Sequence, residues 1–154
     1  MQSDGKAFKT RSLFRMEVGV SIRIKAAPER LWAALTNARE FPRWNSTVNS
    51  IEGTIDQGNT IELRTTAVPD RTFKLRITTF RPNAELVWQD GRAPMFTGVR
   101  RYTLTPEKDG FTTFTMVETF AGFMLPMIAG SLPDFQPTFE RYAADLKAEA
   151  ERAR

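Results

Sequence analysis

Apolar and polar positions alternate with period two along most of this chain, and only its last stretch settles into a long helical period. Over residues 16–25, Met16, Val18, Val20, Ile22 and Ile24 fall on one face while Glu17, Gly19, Ser21, Arg23 and Lys25 take the other, which predicts a half-buried strand. Pro28 then suits the first position of a helix and Glu29 its positive end; Leu31, Trp32 and Leu35 form the apolar face of a short helix ending near Asn37. A second helical turn is predicted at residues 41–45. Strands follow at residues 47–55, 60–66, around Phe73, Leu75 and Ile77, and at 85–89, 99–105 and 111–121. Turn signals at Asp56-Gln57-Gly58-Asn59, Pro69-Asp70 and Pro82-Asn83 separate several of them, with a longer loop containing Pro94 at residues 91–98. Residues 1–12 are polar without a period and read as a loose leader, leaving residues 13–154 as one domain.

The final stretch, residues 131–154, carries Phe135, Phe139, Tyr142, Ala143, Leu146 and Ala150 at helical spacing, behind an acid at Asp134 and a proline at Pro137. Glu140, Arg141, Asp145, Lys147, Glu149, Glu151 and Arg152 make its charged face. No second helix of that length exists upstream, so the sheet is expected to wrap around this one. The last hairpin fixes what faces it. Lys108-Asp109-Gly110 reads as a three-residue loop with glycine at the position that needs positive φ, pairing Glu107 with Phe111. In that register Leu104 meets Phe114, Tyr102 meets Met116, and Arg100 meets Glu118. The opposite face is mostly polar, so Arg100 and Glu118 point inward with the apolar set.

Composition narrows the chemistry. The chain has neither cysteine nor histidine, which removes disulfides, thiolate nucleophiles, histidine triads and histidine-ligated zinc. Acid–base work would fall to Asp, Glu, Lys, Tyr or water. The net charge of +4 is spread along the chain without a basic stripe or recognition motif, so no nucleic-acid partner is expected. No apolar run approaches the ~20 residues of a membrane span and the polar start has no signal-like core, so the expected location is the cytoplasm, without stable membrane insertion. No carboxylate spacing suggests a metal, and no cofactor is implied.

Several short motifs, in order, carry a family likeness: Ala27-Pro28-Glu29-Arg30-Leu31-Trp32, Trp44-Asn45, Leu86-Val87-Trp88, the run from Gly98 through Arg100 to Leu104, and Glu118-Thr119-Phe120-Ala121-Gly122. Together they resemble the SRPBCC superfamily, which groups START, birch-pollen-allergen and polyketide cyclase/dehydrase-like domains. The resemblance implies an α+β helix-grip fold. A curved antiparallel sheet of about seven strands wraps a long C-terminal helix, with two short helices after the first strand. It also implies a cavity for a small apolar molecule. Many relatives hold a histidine where this chain has Arg100. The Rieske-type members are set aside, since their cluster needs Cys and His.

The residues expected to line such a cavity are Phe73, Trp88, Arg100, Tyr102, Glu118, Phe120, Met124, Phe135, Phe139 and Tyr142. Arg100 and Glu118 read either as a cross-strand ion pair that sets register or as a polar anchor for a ligand oxygen. Trp32 reads as core, and Trp44 as a residue near the mouth. The apolar, glycine-bracketed residues 122–130 read as a kinked short helix or a portal wall; as a membrane-touching surface they lack a dense basic flank. The leading functional expectation is binding or transport of a small apolar molecule of the lipid, polyketide or aromatic class, by a monomer or homodimer. A polyketide cyclase or dehydratase is the enzyme alternative, and a protein-interaction module of the chaperone-activator type is the third.

Overall fold

The computed structural model describes residues 2–152. Eight strands form one antiparallel sheet: β1 (Phe8–Arg11), β2 (Arg15–Ile24), β3 (Val48–Glu52), β4 (Thr60–Thr65), β5 (Thr72–Arg81), β6 (Glu85–Arg92), β7 (Phe96–Pro106) and β8 (Thr112–Ala121). Their order is β1-β2-β8-β7-β6-β5-β4-β3. Four α-helices accompany them: α1 (Pro28–Thr36), α2 (Phe41–Trp44), α3 (Leu125–Ile128) and α4 (Gln136–Glu151). The curved sheet grips α4, the predicted helix-grip architecture.

The strand count is eight rather than about seven because the leader is not loose. Phe8–Arg11 pairs with β2, from Phe8 opposite Gly19 to Arg11 opposite Met16. Gly19 makes room for this: a Cβ there would stand 2.4 Å from the Phe8 ring. The missing side chain on an otherwise polar face is the seat for Phe8. The loop expected at residues 91–98 is a hairpin instead, since β6 runs on to Arg92 and β7 begins at Phe96. The strand expected at 47–55 is confined to Val48–Glu52. The terminal helix starts at Gln136, later than expected; Asp134 sits just outside it and accepts the Gln136 backbone N–H at 3.1 Å. The end of the predicted stretch, residues 153–154, lies outside the described residues.

The predicted register of the last hairpin holds throughout, with Arg100 opposite Glu118, Tyr102 opposite Met116 and Leu104 opposite Phe114. The Glu107 N–H donates to the Phe111 carbonyl at 2.8 Å, closing the loop, and both Asp109 and Gly110 adopt positive φ. Inward from this sheet, α4 buries Phe139, Tyr142, Ala143, Leu146 and Ala150.

The charged face of α4 is not simply solvated. Glu140 accepts the Ala7 N–H, Asp145 accepts the N–H and hydroxyl of Ser46, and Glu151 accepts the Lys25 N–H. Arg30 donates to the carbonyls of Glu149 and Ala150, satisfying groups that a helix C-terminus leaves free. Arg43 grips Glu149 through both terminal nitrogens, and that hydrogen bonding holds the Glu149 carboxyl below its ordinary pKa. The first 46 residues thus fix the helix over the sheet.

Candidate functional site

β7 sends Gly98, Arg100, Tyr102 and Leu104 to the inner face, because alternate residues of a strand share a side. β8 supplies Phe114, Met116, Glu118 and Phe120 beside them, and α4 closes over both with Phe139 and Tyr142. Four polar groups meet inside this apolar frame. Arg100 Nε donates to Glu118 Oε1 at 2.7 Å, and its Nη1 donates to the Tyr102 hydroxyl at 3.3 Å. The Tyr102 and Tyr142 hydroxyls lie 2.9 Å apart and share a hydrogen bond. The guanidinium stands 5.1 Å from the Phe139 ring centre and 5.8 Å from that of Tyr142, within cation–π range.

The Arg100 and Glu118 side chains retain 13% and 19% of their exposure, so the pair is mostly enclosed yet reached by solvent. Burial opposes the Arg100 charge, but Glu118 and the two tyrosines outweigh it and hold the guanidinium protonated beyond its ordinary range. Among the described residues no protein group accepts from Nη2, which is not one of the fully buried polar atoms and so stays open to solvent or a ligand. Gly98 lies next to Glu118 and Phe120. Its backbone does not require glycine, and a Cβ there would make only ordinary contacts, at 3.5 Å to Phe120 and 3.7 Å to a Glu118 oxygen. That inward position is simply left small.

Both tyrosines of the chain are in this cluster. Burial raises the pKa of each; Arg100 offsets part of the rise at Tyr102, while for Tyr142 the neighbouring Tyr102 adds to it. The folded protein therefore keeps two phenol protons that the unfolded chain releases near pH 10. The stability they contribute is fully present below that pH and is lost as pH rises through the higher folded-state values. Tyrosinate absorbance at 295 nm should thus stay flat past pH 10 and rise together with unfolding seen by circular dichroism. A separate, earlier tyrosinate step would show that the cluster is open to water.

The ten sequence-predicted residues do not all converge. Trp88 lies opposite Arg100 across β6 and β7 and packs edge-on against Tyr102 at 5.2 Å. Phe135 stacks on Phe120 at 5.6 Å and touches Phe139 at 6.3 Å, so these three form the wall nearest the ion pair. Phe73 and Met124 fall elsewhere. Phe73 sits on β5 under the Arg71 guanidinium, 4.5 Å away, and Met124 is tied by its N–H to the Met95 carbonyl at the sheet end. Trp44 is mostly buried, edge-on against Tyr142 at 6.1 Å, and borders the smaller cleft beside α1, α2 and the end of α4 rather than an opening between sheet and helix. Among the described residues its Nε1 and the Nδ2 of Asn45 are buried donors without a protein acceptor, and Asn45 Oδ1 is held by the Thr47 N–H and hydroxyl. The sequence signal for this missed corner was the Trp44-Asn45 pair itself. Two clefts indent the described surface, of about 540 and 270 Å³. Neither lies between sheet and α4: one is on the outer face of β4 to β7, the other beside α1, α2 and the end of α4. Among the described residues no group of acidic side chains could hold a metal ion.

The family model described as polyketide cyclase / dehydrase and lipid transport matches residues 15–151. The chain belongs to that family. It is accordingly an SRPBCC-type protein, and solved structures share its fold. A START superfamily protein from Mycobacterium smegmatis is 16% identical with a TM-score of 0.64, over 88% of this chain and 97% of its own. Truncated norcoclaurine synthase from Thalictrum flavum is 8% identical with a TM-score of 0.69, over 96% and 100%. The di-domain ARO/CYC protein StfQ of the steffimycin biosynthetic pathway is 15% identical with a TM-score of 0.68, over 90% of this chain and 52% of its own. At such identities the likeness is one of fold. No curated protein matches the SRPBCC chain.

Proposed function

We propose that this SRPBCC protein binds one small, largely apolar molecule with an oxygen-bearing group, seated between β7, β8 and α4. The observation that carries the reading is the half-used guanidinium of Arg100. It is enclosed by Phe139, Tyr142 and Glu118, yet keeps its Nη2 donors uncommitted. Phe120, Phe135 and Phe139 offer the apolar wall, and a carbonyl, phenol or carboxylate oxygen meets Nη2. A few convergent polar groups in an apolar setting are the usual form of small-molecule recognition. The lipid, polyketide or aromatic class fits this chemistry, and the family description supports it.

The test is a titration with 2-naphthoate, an aromatic carrying one carboxylate, followed by calorimetry. Saturable binding at one site per chain is expected. Arg100→Met should weaken it at least tenfold, the order of loss for one charge-assisted hydrogen bond. Gly98→Val, which fills the small position beside Glu118, should weaken it as well. Unchanged affinity in Arg100→Met would remove the anchor.

A second reading, catalysis of polyketide cyclisation or dehydration, is supported by the family description and by the likeness to StfQ. Here the chain's own groups divide clearly. The raised pKa values make Tyr102 and Tyr142 phenol donors, not bases, and Arg100 is placed to steady a developing enolate oxygen. Glu118, bound to Arg100, is the carboxylate of the cluster.

A further inference from the structure

Leu13, Phe14, Met95, Phe123 and Met127 are the exposed large apolar residues of the described chain, at 47–79% exposure, and the fold gathers all five at one end. The Gly122 N–H donates to the Phe14 carbonyl at 3.1 Å, the Phe123 N–H to Pro94 at 3.0 Å, and the Met124 N–H to Met95 at 3.0 Å. The Phe14 and Phe123 rings meet edge-on at 6.0 Å. Gly122 is required for this junction: its φ is +133° and a Cβ would stand 2.2 Å from the Met95 carbonyl oxygen. Three chain segments far apart in sequence thus make one apolar tip.

The basic flank that residues 122–130 lack in sequence is supplied by the other two segments. Residues 12–15, 91–98 and 121–133 together contain Arg15 and Arg92 and no carboxylate. Arg11 stands opposite Met16 at the same end. Arg92 continues onto the outer face of the sheet, where it lines the larger cleft with Lys74 and Arg76. The nearest acids are Glu17, bridged to Arg15 at 2.9 Å, Asp90, 3.6 Å from Arg71, and the exposed Asp134, which accepts the Gln136 N–H.

We propose that this tip docks the protein, reversibly and from one side, on an anionic lipid surface. Protruding Phe, Leu and Met side chains enter the acyl boundary, while Arg11 and Arg92 meet lipid phosphates. A second copy is the poorer occupant, because face-to-face tips would bring like arginines together. This is surface attachment only: among the described residues no helix is long and apolar enough to cross a membrane. The proposal is independent of what the interior binds.

Co-sedimentation with phosphatidylglycerol-rich vesicles, against pure phosphatidylcholine vesicles, tests it. The protein should pellet with the anionic vesicles at least tenfold more strongly, and added salt should reduce the difference. Phe123→Ser with Met127→Ser removes two side chains that touch solvent already, so the fold, checked by circular dichroism, is kept while vesicle binding falls more than tenfold. Arg11→Gln with Arg92→Gln should lose the preference for anionic lipid and leave the fold intact. Absence of binding to either vesicle, or equal binding by the Ser double variant, overturns the proposal. So does a concentration-dependent self-association that these Ser substitutions abolish without any effect on vesicles.

Discussion

Glu118→Leu should cost about 3–5 kcal/mol of folding stability, whereas Arg100→Met should cost clearly less, although both break the same 2.7 Å pair. Removing Glu118 strands a guanidinium among Phe139, Tyr102 and Tyr142, and a guanidinium cannot shed its charge. Removing Arg100 strands a carboxylate, which can take up a proton. The double variant Arg100→Met with Glu118→Leu leaves no buried charge and should return to within about 1 kcal/mol of the parent, since apolar replacements of a buried pair are often neutral or better. Urea unfolding of the three variants reads this directly. Equal, small losses in both single variants would mean that the remaining exposure screens the pair and that Arg100 is too wet to anchor a ligand.

Phe139→Ala should be comparably destabilising, by about 3–5 kcal/mol, because the ring is 1% exposed and fills the space between Phe135 and Arg100. The loss has a signature that distinguishes a binding wall from ordinary core. The void opens beneath a guanidinium with free donors, so a small aromatic with one oxygen, phenol, should enter it. At a hundredfold excess over its Kd, phenol would restore about 2.7 kcal/mol. Recovery by phenol in Phe139→Ala, with none in the parent, is the expected outcome of thermal unfolding. No recovery would show that the neighbouring aromatics collapse into the gap.

How far the sequence revealed this arrangement depends on the range of the interaction. The β7–β8 register was legible because a three-residue loop with Gly110 permits one pairing and period-two alternation assigns the faces. That placed Arg100 beside Glu118 before any coordinates. The stripe Phe139, Tyr142, Leu146 was equally legible from helical spacing. β1 was not, since Lys9, Thr10 and Arg11 show no apolar alternation; the strand exists through backbone pairing to β2 and the seating of Phe8 over Gly19. Each tyrosine hydroxyl needed a partner, and nothing local showed that the two would satisfy each other across 40 residues. The apolar tip was hidden for the same reason. Leu13, Met95 and Met127 are unremarkable singly and meet only because three loops end together. Phe73 packs against the same core, but from β5, which β6 separates from β7, so inner-face position alone did not give its distance from Arg100.

The most direct check is a heteronuclear NMR titration of the protein with 2-naphthoate, followed at assigned aromatic and methyl signals. Binding between sheet and helix predicts saturable shifts at Tyr102, Tyr142, Phe139 and Met116, with the Arg100 side-chain N–H resonances moving in step. Shifts confined to Phe14, Met95, Phe123 and Met127, or no saturable shift at all, would contradict an interior binding site.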